Sequence, residues 1–192
     1  LSAFAWNQSA TGEIELSATQ DVVFFPALLT LKPGEERRVR VGSTATAGAV
    51  EKTYRIFVEE LPPADVSNLG SAVRVLTKMG IPIFVRPTTE SANASLSALG
   101  VSEGALRFSV NNTGTVHFVP QDITVRGVGA DGRDLFEQQL ASWYILPGGR
   151  RDFDVAVAAA ECSRTASIVV EVGLGSTSLK ESLQTPGGAC RQ

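Results

Sequence analysis

The side chains able to carry chemistry are few, and their spacing does not suit it. His117 is the only histidine and lies among apolar neighbours in "GTVHFVP". One imidazole cannot furnish a multi-histidine metal site, and Cys162 and Cys190 lack the close CxxC spacing that zinc favours. His117 therefore reads as a structural strand residue. No GxSxG nucleophile elbow occurs. Adjacent acids such as Glu59 and Glu60 face opposite sides of an extended chain, so they cannot act as an acid–base pair. One pattern, "GVGADG" at 127–132, matches G-x-G-x-x-G. A dinucleotide site needs a strand before that pattern and a helix after it to hold the pyrophosphate. The following "RDLFEQQL" is short and polar, and Ala130-Asp131-Gly132 reads as a hairpin turn. No catalytic residue, metal or cofactor is expected.

The two cysteines suit a single disulfide between Cys162 and Cys190 in an oxidising compartment, the alternative being two buried or free thiols. Such a bridge would stabilise by about 3 kcal/mol and would hold a Gly/Pro-rich tail that has little else to fix it.

The elements that must position these residues are extended. Period-two alternation dominates, and no stretch repeats apolar residues at helical spacing. Strands are expected at 2–6, 12–17, 20–25, 36–42, 52–59, 71–85, 104–111, 115–127, 133–141, 151–157, 166–173 and 177–183. Turn signals such as "KPGE", "NNTG", "ADG" and "LPGG" separate them. Many short strands with such turns indicate an all-β fold of sandwiches. The chain has 192 residues, enough for two domains. The polar stretch "PTTESANAS" at 87–95 marks the expected boundary, giving domains at 1–87 and 88–192. The first is short for an immunoglobulin-like sandwich of about 100 residues. With Leu1 opening directly on an apolar strand, the first domain is expected to lack N-terminal strands. A net charge of −3 without a Lys/Arg block gives no footprint for nucleic acid. The apolar runs are too short for insertion into a membrane.

One strand stands out. Residues 71–85 would span about 50 Å when extended, with Val73, Val75, Thr77, Met79, Ile81 and Ile83 on one face. Pro82 has no N–H for a ladder, which places the strand at a sheet edge or a bulge. Such an edge can add an extended segment of a partner to its sheet.

"VVFFPALLTLKPGEERRVRV" (22–41), "EKTYRIFVEELPP" (51–63), "AVRVLTKMGIPIFVRP" (72–87) and "LRFSVNNTGTVHF" (106–118) occur in an order that resembles the periplasmic pilus-assembly chaperones of chaperone–usher pathways. The resemblance implies a boomerang of two immunoglobulin-like β-sandwich domains. Its function would be to bind pilus or fimbrial subunits by donor-strand complementation and deliver them to an outer-membrane usher, without catalysis. Carried over by residue, Val73, Val75, Thr77, Met79 and Ile81 would be the donor face. In the best-known branch a lysine near the end of this strand and an arginine on the first strand anchor the subunit's carboxylate. Pro82 stands where that lysine belongs, and the first strand falls outside the sequence, so neither anchor is assigned; "IPIFVRP" resembles the archaic branch more than the classical one. Arg74 and Lys78 are anchor candidates by charge. Glu60, Arg86 and Glu171 match a cluster of ion pairs between the domains. A different class of reading, a secreted or surface structural protein of tandem immunoglobulin-like domains, pairs the same strand within its own sheet.

Overall fold

The computed structural model describes residues 1–9, 11–62, 73, 75–175 and 177–185. The elements are β1 (Ser2–Gln8), β2 (Ile14–Ala18), β3 (Val22–Phe25), β4 (Arg40–Ser43), β5 (Lys52–Glu59), β6 (Lys78–Val85), β7 (Ala94–Ser102), β8 (Ala105–Asn112), β9 (Ile123–Gly129), β10 (Asp134–Leu140), β11 (Arg150–Ala156), α1 (Ala159–Cys162), β12 (Thr165–Gly173) and β13 (Ser178–Gln184). All strand pairs are antiparallel. The sheets fall into two groups, β2-β1-β5-β6 with β3-β4, and β10-β9-β12-β13 with β11-β8-β7. The fold is all-β, of the immunoglobulin-like sandwich kind.

In the second group the pleat sends alternate side chains inward from both sheets. Ile123 and Val125 of β9 meet Ile168, Val170 and Val172 of β12, facing Leu106, Phe108 and Val110 of β8, all almost fully buried. The turn at 130–132 is the expected hairpin. Gly129 N–H donates to the Arg133 carbonyl at 2.8 Å, and Gly132 has φ +78°, where glycine carries no steric cost. Gly127 lies beneath the Phe136 ring, where an added Cβ would come within 2.1 Å of it.

The first group buries less. Trp6, Val22, Tyr54 and Ile56 are inside. Tyr54 Oη donates to Asp21 Oδ2 at 2.7 Å, which ties β5 to the turn before β3. Burial first, then that bond and the charge of Asp21, push the Tyr54 phenol up to about 12. Val39, Val41, Ile56, Val58, Ile81 and Ile83 line an apolar cavity of about 550 Å³ next to the β3–β4 ribbon.

Three expectations need correction. Among the described residues the long strand runs over Lys78–Val85, where β5 supplies partners from Lys52 to Glu59. The strand expected at 115–127 begins at Ile123, and before it Phe118 makes only an isolated bridge to Ile145. β7 was not anticipated at all, and its register with β8 shifts between Ser97 and Gly100.

Candidate functional site

β6 forms one edge of its sheet, and β5 is its paired neighbour among the described residues. The register sets Met79 opposite Val58, Ile81 opposite Ile56 and Ile83 opposite Tyr54, so these residues share the apolar face. Met79 and Ile81 remain 54% and 48% exposed, which is unusual for the centre of an apolar strand face. Ile81 lines the 550 Å³ cavity, while Thr77 and Met79 line a larger one of about 900 Å³ with Leu28, Leu31 and Leu61. Thr77 extends the ladder by one bond, its carbonyl accepting from Glu60 N–H at 2.9 Å. Val75 and Val73 lie outside any strand and are 82% and 98% exposed. Among the expected donor residues, then, the structure aligns Thr77, Met79 and Ile81 along one edge and leaves Val73 and Val75 beyond it.

The opposite face of the sheet carries the charges. Lys78 pairs with Glu59 at 3.3 Å and lies 5.0 Å from the Phe57 ring centre, so its charge is already engaged. Arg74 lies outside the described residues. Arg55, opposite Pro82 in the register, is only 8% exposed. Its guanidinium sits 4.0 Å from the Trp6 ring centre and 5.8 Å from that of Trp143. Burial draws its pKa below the usual arginine value, with Tyr144 opposing in part.

Beside this edge lies the joint between the two groups of sheets. Phe84 of β6 stacks on His117, with ring centres 3.6 Å apart and planes 13° from parallel. His117 Nδ1 lies 2.6 Å from Glu51 Oε2, and the same oxygen accepts from the His117 backbone N–H at 2.8 Å. The Glu51 side chain is 3% exposed. Gln8 donates to the Tyr144 carbonyl at 2.7 Å and accepts from Leu146 N–H at 2.8 Å. Trp6 meets Tyr144 edge-on at 5.4 Å.

The three acids and bases expected to brace this joint do not come together. Arg86 is 81% exposed at its side chain and pairs with Glu90 at 3.3 Å. Glu171 pairs with Arg126 at 3.3 Å on the outside of β12 and β9. Glu60 has an oxygen 3.4 Å from the Thr77 amide, at the end of β5 remote from the joint. The reason is antiparallel geometry: Lys52 faces Val85, so the residue at the Arg86 end of the pair is Glu51. Glu60 is on the order of 30 Å farther along the strand. Pairing 52–59 with 78–85 as antiparallel strands would have pointed to Glu51 from sequence. Cys162 is buried and is not a free thiol, and Cys190 lies outside the described residues. No group of three or more His, Cys, Asp or Glu residues able to hold a metal occurs among the described residues, and none of their helices is long and apolar enough to cross a membrane.

Comparison with known proteins places this geometry. The family described as pili and flagellar-assembly chaperone, PapD N-terminal domain, matches residues 3–90. The structure of the class 5 fimbriae chaperone CfaA is similar, with a TM-score of 0.55, 15% identity, and 96% of this chain and 84% of that chain covered. So is a chain from a structure described as a chaperone–tip adhesin complex vital for synergistic activation of CFA/I fimbriae biogenesis, at a TM-score of 0.53 and 15% identity, covering 94% and 82%. No curated protein matches the sequence. Residues 3–90 thus match the model of the pilus-assembly chaperones' N-terminal domain, and the chain as a whole shares its fold with these two structures.

Proposed function

We propose that this protein is a periplasmic chaperone that holds pilus or fimbrial subunits by donor-strand complementation and passes them to an outer-membrane usher. The carrying observation is the edge of β6, where Met79 and Ile81 stay half exposed above apolar cavities. A subunit strand laid along that edge would take up its free backbone groups, and its side chains would bury the apolar face. The donor face in this reading is Val73, Val75, Thr77, Met79 and Ile81, the first two joining the strand against the partner. Residues 1–87 act as the subunit-binding domain and 88–192 as the second domain. A Cys162–Cys190 bridge fits the oxidising compartment.

Co-expression with a subunit encoded beside the gene tests this. A one-to-one complex should co-purify, and Val75→Asp and Ile81→Asp should each lower recovery at least tenfold, the cost of setting a charge in an apolar interface. Undiminished capture by both folded variants overturns the donor-face assignment.

A further inference from the structure

The chain contains one methionine, and it stands on the β6 edge. Met79 is 54% exposed, although Val58 faces it across the ladder and Leu28, Leu31 and Leu61 line the same cavity. Ile81 and Ile83, which share its apolar face, carry no group that a mild oxidant attacks. A thioether is such a group, and its attack needs access to the sulfur. Competition for the oxidant is slight. No free thiol occurs among the described residues, and the Trp6 indole is fully buried.

The matching oxidant is a hydroperoxide. The sulfur lone pair attacks the outer peroxide oxygen, and the S–O bond forms as the O–O bond breaks. With hydrogen peroxide, the departing hydroxide takes up the transferred proton and leaves as water. Sulfur is oxidised by two electrons and the peroxide is reduced by two. The sulfoxide that results is polar and chiral where the thioether was apolar. A partner strand closing over it would bury an oxygen without a donor, which is unfavourable.

We propose that Met79 is an oxidation-sensitive switch on the β6 edge: a peroxide converts its thioether to the sulfoxide, and the oxidised edge no longer takes up a partner strand. The oxidation site stands on exposure and chemistry, and its consequence for binding rests on the proposed function.

The test uses the whole chain. Hydrogen peroxide is added and then removed with catalase, and peptide mass mapping locates the added oxygen. Met79 should be the first residue to gain one, and should gain it at least tenfold more slowly when a subunit is bound, since cover removes access. Treated and untreated chains are next offered a denatured subunit by rapid dilution, and the soluble complex is measured. Oxidation should lower its yield at least tenfold, the effect of closing an apolar interface over an unpartnered oxygen. Methionine sulfoxide reductase with its thiol reductant should restore the yield. Met79→Leu, compared with its own untreated sample, should lose nothing on treatment, and it also controls for the thiol. A Met79 that stays unoxidised where the unfolded chain is oxidised overturns the site. Equal capture by the oxidised chain, or an equal loss in treated Met79→Leu, overturns the switch. Failure of the untreated chain to capture any subunit overturns the chaperone reading and the switch with it, and the mapping still decides the oxidation site.

Discussion

The two groups of sheets are made of the same kinds of strand and do opposite things with their apolar residues. In β7–β13, Leu106, Phe108, Val110, Ile145, Ile168, Val170 and Val172 are all at or below 1% exposure. In β1–β6, Met79, Ile81, Val41 and Val23 remain about half exposed although they too lie on strands. Alternation sets which face is apolar, but a second layer is needed to bury it. One region has found its cover within the described residues, while the other presents a face that a partner can cover. On the proposed function, that difference separates a scaffold from a binding surface.

The strongest attempt to break this contrast is a matched pair of truncations. Phe108→Ala should lower the stability of the second region by about 3–5 kcal/mol. Ile81→Ala should cost about 1 kcal/mol or less, since half of its surface is already wet. Equal urea midpoints for the two variants would erase the distinction. Next comes the joint. Glu51→Gln keeps an acceptor for the His117 amide but removes the buried charge, and should cost about 2 kcal/mol. Loss of interdomain order would show as freer Phe84 and His117 ring signals in NMR.

A third measurement tests the first region alone. Tyr54 holds its proton up to about pH 12 when folded, against about 10 in an unfolded chain. Its contribution is therefore complete below pH 10 and is lost as the pH rises towards 12, up to about 2 kcal/mol. The Tyr54→Phe variant should show a flatter alkaline limb; parallel limbs would contradict the Tyr54–Asp21 bond. The smallest effect belongs to Arg86→Ala, which removes an exposed i,i+4 pair worth no more than about 0.5 kcal/mol. A loss of several kcal/mol there would restore Arg86 as a brace.

Much of the fold was legible because strands such as β9 and β12 announce themselves by strict alternation. β7 did not, since Ala98 takes φ 55° and the register shift after Ser97 breaks the period of two. The long strand was overextended for the converse reason: alternation runs on past Lys78, but the partner strand does not. Within the candidate site, the shared apolar face of Met79 and Ile81 could be read from sequence because alternation is local. Glu51, His117 and Arg55 could not, because each owes its role to residues tens of positions away. Glu51 accepts from His117, and Arg55 lies between Trp6 and Trp143. Only a register, not a motif, brings such residues together.

The hairpin at Gly127–Gly132 carries a lesson about pattern matching. Gly127 is required by the ring of Phe136 above it, whereas Gly132 is required by the backbone of the turn. Gly129 is confined by a third neighbour, since an added Cβ would lie 2.9 Å from Asp131 Oδ1. Three unrelated constraints have together spelled a nucleotide-binding signature where a strand, β10, follows in place of the helix that would complete it. Evolution could lose any one of them without touching the others, so the letters of this signature should drift independently among descendants rather than as a unit.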